Sequence, residues 1–461
     1  MKLRLHPFNP IPGSITAPKG FKAAAVFCDI KRIGTGKGSE KGEKRDLALI
    51  VSDVPAAVAG MFTRNQVCAA PVKVSAQRAA RRFSRAIVVN SGNANACTGA
   101  RGLADAKAMT EFAAKSLETS PQHVLVCSTG RIGVPMPMGN VKRGIRAAAA
   151  LLSASPGSAR NVAEAIMTSD TLRKEIAVEF QLGATRVRIG GVCKGAGMIQ
   201  PGMVPAKKLP KPGLHATMLG FLTSDVLISA LALRQCLNQA VEQSFNRITV
   251  DGDMSTNDSV IMLANGSAKN RPLVWVGPRD LKKARKLDSQ KPNQLELLLT
   301  FQAALNHVCL ELAKMIVRDG EGVTRFITLY VHGAKTPADA EAVVRAVANS
   351  TLVKTSWFGG DPNWGRILCA MGYSNAKVDE AKVDVGYSRA GQSKITFAVR
   401  RGQPTRIGLQ TLAKIVGESE FDLHIFLHAG PNDCVLYASD LTEEYVEFNK
   451  GNVNDPKSLG G

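Results

Sequence analysis

Long hydrophobic runs are missing from this 461-residue chain. With no stretch of about 18 consecutive apolar residues, a membrane-spanning helix is not expected and no membrane partner is foreseen. Aromatic residues are scarce at 5%, and few stand among the basic runs Lys31 to Arg45, Arg81 to Arg85 and Arg279 to Lys286. Stacking of nucleic-acid bases needs aromatic faces beside the cations, so no nucleic-acid partner is expected despite a formal charge of +21. Those runs read as solvated loops and helix faces. The nine cysteines are odd in number and include no C-x-x-C pair, which points to reduced thiols inside the cell. The seven histidines do not cluster with them, and His424 and His428 in "HIFLH" lie on a strand-like segment without the glutamate of a zinc-protease helix. A zinc site is therefore not expected. The amino-terminal stretch lacks the apolar block of a secretory signal, so the expected location is the cytosol, with the mitochondrial matrix as the alternative.

What the chain does contain is an ordinary globular composition, 45% hydrophobic and 21% charged, in a length that suits two or more lobes. Strand-like runs fill the first third: "AAAVFCDI", "DLALIVSD", "AAVAGMFT", "PVKVSAQ" and "RAIVVNSG". Helical periodicity follows in "GLADAKAMTEFAAKSLET", "VKRGIRAAAALLSAS" and "NVAEAIMTSD", separated by the strand and turn "HVLVCSTGRIGVP". After Thr217 the alternation resumes with the helix "SALALRQCLNQAVEQSFNRI", the strand-like "RITVDGD" and "LVWVG", the long helix "LELLLTFQAALNHVCLELAKMIVRDG", the strand "TRFITLYVHGA" and the helix "DAEAVVRAVANS". This predicts an α/β or α+β protein of layered sheets and helices. Gly34 to Arg45 and Val204 to His215 read as exposed connecting loops.

Familiar catalytic signatures fail one by one. "GTGKG" at Gly34 to Gly38 lacks the spacing of a phosphate loop, and no G-x-S-x-G elbow occurs. "KGAGM" at Lys194 to Met198 reads locally as a turn. One remaining nucleophile class supplies its own base: a threonine whose α-amino group chain cleavage has freed. Such an amine has a pKa of about 7.7 to 8 and accepts the hydroxyl proton near neutral pH. By local rules alone, Thr217 in "LHATMLGFLTSD" reads as an N-cap opening a helix at "MLGFL".

Several long segments taken together carry more. "DLALIVSDVPAAVAGMFTRNQVCAAPV", "AIVVNSGNANACTG", "STGRIGVPMPM", "AIMTSDT", "GGVCKGAGMI", "ATMLGFLTSD", "SFNRITVDGDMSTND", "LAKMIVRDGEGVT" and "NSTLVKTSWFGGDPNWGRILCAMGYS" resemble, in order and over nearly the whole chain, the ornithine acetyltransferase family of arginine biosynthesis. The resemblance implies a self-cleaved enzyme of the N-terminal-nucleophile type, with stacked mixed β-sheets flanked by helices in an α-β-β-α arrangement. It implies a break between Ala216 and Thr217, an α chain of residues 1–216, a β chain of residues 217–461 and an (αβ)2 assembly. The implied reaction moves acetyl from N2-acetyl-L-ornithine to L-glutamate through acetyl-threonine in ping-pong order with no metal or organic cofactor, and some family members also accept acetyl-CoA. The alternative is an N-terminal-threonine amidohydrolase or aminopeptidase with water as acceptor.

Carried over position by position, the resemblance makes Thr217 the nucleophile, and the Thr129 hydroxyl and Gly130 N–H the oxyanion donors. It makes Lys194, Glu321 and Thr168 substrate-binding residues, with Thr171 the neighbouring candidate for the last role. Asn449 matches a terminal substrate contact. The position five residues on, usually Thr or Ser, is Asn454 here. Residues Val204 to His215 are an insertion relative to the family, immediately before the implied scissile bond.

Overall fold

The computed structural model describes residues 8–31, 44–206, 218–275 and 294–450. They form two compact units, one from the described parts of Met1–Asn246 and Met254–Ala313, the other from Arg247–Asp253 and Lys314–Lys450. Most of the loop Gly34 to Arg45 and of the insertion Val204 to His215 lies outside the described residues, as do Ala216, Thr217 and Asn454.

The first unit holds strands β1 (Asn9–Pro10), β2 (Phe21–Val26), β3 (Leu47–Phe62), β4 (Phe83–Asn90), β5 (Val124–Ser128), β6 (Lys174–Leu182), β7 (Thr185–Lys194), β8 (Val204–Pro205) and β9 (Leu219–Ser224). Strand β10 (Ile248–Thr249) belongs to the second unit, and β11 (Ser259–Ala264) returns to the first. Helices α1 (Ala70–Ala79), α2 (Gly99–Ser116), α3 (Met138–Ala150), α4 (Pro156–Ala165), α5 (Ala230–Glu242) and α6 (Gln294–Arg318) accompany them. The strands make one mixed sheet in the order β1-β6-β7-β9-β11-β3-β4-β5, with β2 and β8 also paired to β3.

Strand β3 explains how one sheet makes two layers. Its ladder with β4 shifts register between Val51 and Ala56, around exposed Asp53, Val54 and Pro55. A bulge of this kind bends a strand. The first half of β3 pairs with β2 and β4, the second with β11 and β8, keeping β4 only at Ala56 and Ala57. Residues from both halves share one apolar core: Ala48, Ile50, Ile87 and Leu125 on one side, Val58, Val192, Phe221 and Ile261 on the other. On the outer face of the β2-β3-β4-β5 layer, Leu49, Val88 and Val126 pack with Met109 of α2 and Ile145 of α3. On the outer face of the other layer, Gly191 of β7 looks onto Leu222, Val308 and Leu312, the last two from α6. The expected α-β-β-α layering is therefore present within the first unit.

Helix α6 is long and apolar enough by composition to cross a membrane. Yet Leu297, Phe301, Leu305, Val308 and Leu312, spaced by three and four, are buried as a core stripe.

The second unit carries β10 with β12 (Phe326–Ala334), β13 (Asp384–Arg389), β14 (Thr396–Arg400), β15 (Gln403–Pro404), β16 (Glu420–Phe426) and β17 (Asn432–Ser439). Their order is β10-β17-β12-β16-β13-β14-β15. Helices α7 (Pro337–Ala348), α8 (Thr351–Phe358), α9 (Trp364–Gly372), α10 (Leu409–Val416) and α11 (Glu443–Asn449) complete it. One core joins Leu329, Val331, Leu423 and Ile425 of the sheet to Val343, Trp357, Ile367 and Leu412 of the helices.

The structure corrects five local expectations. "PVKVSAQ" lies in helix α1, because Ala69, Val72, Ala76 and Ala79 at three-and-four spacing face the core and Pro71 suits the first turn. "DLALIVSD" and "AAVAGMFT" are halves of the single strand β3. "RITVDGD" contracts to the two residues of β10, and within "LVWVG" Leu273 makes only an isolated bridge to Ile228. "MLGFL" opens no helix. It runs into β9, paired on one side with β7 and on the other with β11. All six residues of β9 are buried, which removes the alternation that normally marks a strand. None of the nine cysteines is in a disulfide.

Close approach of backbone at Gly190 yields a test of the first unit. A Cβ there would lie 1.8 Å from the Ser14 carbonyl oxygen, inside any tolerable contact. Gly190→Ala is expected to destabilise by about 3 kcal/mol, the upper part of the overpacking range, read as a lower urea midpoint with an unchanged slope.

Candidate active site

Strands β4, β5 and β7 end at the same edge of the first unit's core, and their ends carry the chemistry. Beyond β5 the chain turns through Thr129 and Gly130. Thr129 is fully buried and its amide donates to the Asn90 carbonyl at 3.0 Å. Gly130 has φ 122°, and a Cβ there would meet the Gly92 carbonyl carbon at 2.4 Å. Only glycine fits.

Side-chain amides hold that turn. Asn90 accepts from the Ser128 hydroxyl at 2.6 Å and donates to the Asn93 carbonyl at 2.9 Å. Asn93 donates to the Val134 carbonyl at 3.0 Å. Asn257, just before β11, donates to the carbonyls of Ala94 at 2.8 Å and Ser128 at 2.5 Å. Every bond lies in a buried or half-buried setting, where a satisfied polar network is rigid.

Lys194 ends β7 with no solvent exposure. Its Nζ donates to the Thr168 hydroxyl at 2.6 Å and lies 3.4 Å from that of Thr129. Thr171 is exposed. The structure thus brings together Thr129, Gly130, Thr168 and Lys194, four of the residues singled out from sequence.

A cation buried this deeply needs an anion. Asp170 supplies it: its Oδ2 is 3.8 Å from Lys194 Nζ, and its Oδ1 accepts from Lys174 Nζ at 2.7 Å. The same carboxylate accepts from the amides of Gly195 at 2.7 Å and Thr168 at 3.0 Å. Burial pushes the Asp170 carboxyl upward, but Lys194, Lys174 and these hydrogen bonds outweigh it and hold the group below the usual carboxylate range.

A second carboxyl behaves oppositely. Asp258 Oδ1 accepts from the Met218 amide at 2.9 Å, while Oδ2 is buried with no hydrogen-bond partner among the described residues. Burial pushes its carboxyl up to about 7, opposed by hydrogen bonds from Ser255 and Met218 and by the charge of Lys194.

Glu321 and Asn449 meet within the second unit, where Asn449 Nδ2 donates to Glu321 Oε2 at 2.9 Å and to the Tyr445 carbonyl at 3.0 Å. Gly322 has φ 66°, and a Cβ would lie 2.5 Å from the Tyr445 amide, so glycine lets α11 approach. Thr217, Ala216 and Asn454 lie outside the described residues.

Sequence reasoning passed over Asp170, Lys174, Asn257 and Asp258. All stand in or beside the quoted segments "AIMTSDT" and "SFNRITVDGDMSTND". The usable signal was three ionisable residues in the short span Asp170 to Lys174 that sequence alone would have left to solvent.

A donor-lined strand edge with one buried lysine suits a substrate bearing a carboxylate and a carbonyl under attack, which is the province of acyl-transfer enzymes. Relatives narrow this. The profile of the ArgJ family matches residues 23–451. The "Arginine biosynthesis bifunctional protein ArgJ" of Symbiobacterium thermophilum is 43% identical over 439 residues, 95% of this chain and 98% of that protein. The "Glutamate N-acetyltransferase" of Methanocaldococcus jannaschii is 42% identical over 444 residues, again 95% and 98%. A solved ornithine acetyltransferase from Mycobacterium tuberculosis, complexed with ornithine, is 38% identical, with a TM-score of 0.39, covering 43% of this chain and 100% of that one. This chain belongs to the ArgJ family.

Two outcomes follow from the carboxyls. Asp170→Ala strands two buried cations and is expected to cost about 3–5 kcal/mol of stability, measured by urea unfolding. Asp258, with its value raised by folding, binds its proton more tightly folded than unfolded. The stability that proton supplies is full below about pH 4 and lost as pH rises through about 7. Asp258→Asn is expected to flatten the stability curve between those values.

Proposed function

We propose that the chain is a glutamate N-acetyltransferase that moves acetyl from N2-acetyl-L-ornithine to L-glutamate, after its own cleavage between Ala216 and Thr217 into chains 1–216 and 217–461. Lys194 carries the reading. Its direct partner across the sheet is Leu219, two residues after Thr217, and its Nζ reaches the hydroxyls of Thr168 and Thr129. One lysine therefore ties the strand entered from Thr217 to the turn of the proposed oxyanion donors.

In this mechanism the Thr217 α-amine takes the proton from its own Oγ1, which attacks the acetyl carbonyl carbon. The Thr129 hydroxyl and Gly130 N–H stabilise the resulting oxyanion, a contribution of about 3–4 kcal/mol for a single such donor. Collapse breaks the C–N bond, the proton passes to the departing ornithine nitrogen, and acetyl remains on Thr217. The neutral amine of glutamate then attacks the ester, and Oγ1 recovers its proton as the C–O bond breaks. Lys194, with Thr168, receives a substrate carboxylate. Glu321, presented by Asn449, suits the ornithine side-chain ammonium, with Asn454 a further substrate contact. The Symbiobacterium relative is named bifunctional, which makes acetyl-CoA the second acetyl donor to assay with glutamate. The assembly proposed is (αβ)2.

Denaturing electrophoresis of wild type is expected to show two fragments of similar size, and Thr217→Ala a single inactive chain. Wild type that is active as one intact polypeptide would overturn the mechanism. With acetylornithine, ornithine release beyond one equivalent per site is expected to require glutamate. Sustained release without glutamate would mark a hydrolase instead.

A further inference from the structure

In the second unit's sheet, Ile327, Leu329 and Val331 of β12 face the helical core, and the alternate residues face the other way. That opposite face carries two histidines that the mechanism above does not use. Tyr330 and His332 of β12 pair directly with His424 and Phe426 of β16, which sets His332 and His424 diagonally across the two strands. His332 Nε2 lies 3.5 Å from His424 Nδ1, and the ring centres are 5.8 Å apart with planes 8° from parallel. The difference between those distances is two imidazole radii, so both nitrogens lie on the line joining the ring centres and meet head-on.

Their outer nitrogens decide where the protons sit. His424 Nε2 is 3.0 Å from the hydroxyl of fully buried Ser388, and Ser388 gives its own proton to Asp422, its direct partner on β16. Ser388 Oγ is left to accept, which places the His424 proton on Nε2. His332 Nδ1 faces Asp433 Oδ2 at 3.9 Å. A carboxylate only accepts, which favours the His332 proton on Nδ1. Both inner nitrogens are then bare, with two lone pairs aimed at each other. A proton is a poor occupant of the gap, because burial lowers both imidazoles, His332 against the pull of Asp433 and His424 to about 4. Neutral imidazole with its outer N–H engaged is the form in which histidine binds metal.

We propose that His332 and His424 form a two-coordinate site for a soft, closed-shell monovalent ion, copper(I), held between Nε2 and Nδ1 with Asp433 and Ser388 as outer supports. Among the described residues no group of three or more His, Cys, Asp or Glu side chains could hold a metal ion. An ion that demands three or four protein ligands, such as zinc, is therefore not matched, whereas opposed nitrogen donors suit linear coordination. Tyr330 lies beside His424 with ring centres 4.9 Å apart, and Phe426 beside His332 at 4.5 Å, walls that limit further ligands. Two bonds of about 2 Å, usual for imidazole nitrogen, need about half an ångström more than the gap found. His332, with 29% of its side chain exposed, supplies both that movement and the entry path. Binding makes two nitrogen–metal bonds, releases no proton and transfers no electron. The site is independent of the acetyl-transfer reading.

Cysteine thiols also bind copper(I), so the test uses full-length protein with the exposed Cys97 and Cys369 replaced by serine; the other cysteines are buried. Loaded anaerobically with copper(I) and desalted, this parent is expected to retain one equivalent more than its His332→Gln variant, and to unfold at higher urea than the metal-free form. Asp433→Asn, an exposed change, is expected to bind copper(I) about tenfold more weakly, as the loss of an outer support does. Copper retained equally by parent and His332→Gln, or by neither, overturns the proposal. So does nitrogen NMR of the metal-free parent at neutral pH that finds a proton on His332 Nε2 or His424 Nδ1, since the pair is then closed by a plain N–H···N bond.

Discussion

The site depends on one buried carboxylate. Asp170 lies between two lysines, Lys174 and Lys194, that the fold takes completely out of water. Neither cation is tolerable there without an anion, and a single anion serves both because its two oxygens point to different strands. Oδ1 meets Lys174 at the start of β6, and Oδ2 faces Lys194 at the end of β7. The two backbone amides it also accepts, from Thr168 and Gly195, pin the loop before β6 and the turn after β7. Charge balance and backbone geometry are thus solved by the same side chain, and the position of Lys194 beside Thr129 follows from it.

Around this pair the polar interior is made almost entirely of short amides and hydroxyls. Asn90, Asn93 and Asn257 saturate the carbonyls left open where β4 and β5 stop and the chain turns away. Orphaned carbonyls in a buried setting are costly, and a loop satisfied by side chains is as fixed as a strand. Such rigidity is what oxyanion stabilisation requires, since donors that must reorganise during the reaction contribute little. Gly130 adds the remaining constraint: its positive φ and the 2.4 Å separation that a Cβ would have from Gly92 leave no freedom for another residue.

Much of this was legible in the residues. The helices over "GLADAKAMTEFAAKSLET" and "DAEAVVRAVANS" and the strands at "RAIVVNSG" and "TRFITLYVHGA" follow from periodicity, because each buries one face or one short apolar run. Periodicity failed where burial was two-sided or the chain was bent. Strand β9, buried along all six residues, carries no alternation. Strand β3 passes through Pro55 and a register shift, so its halves look like separate strands. In α1 the V-x-V of "VKV" mimics a strand, while the stripe Ala69, Val72, Ala76 and Ala79 is too rich in alanine to stand out.

Family resemblance, in turn, supplied Thr129, Gly130, Thr168 and Lys194 as a set, without any indication of what holds them. By itself the sequence determined composition, most helices and strands and the family, because these are properties of local pattern and of long ordered motifs. The tertiary structure alone decided that β3 folds one sheet into two layers, that Asp170 neutralises two lysines from different strands, and that Asp258 holds the Met218 amide. Those facts arise between segments distant along the chain or from complete removal of water. Local spacing encodes neither distance through space nor the loss of solvent that turns an ordinary Asp or Lys into a group that must be paired.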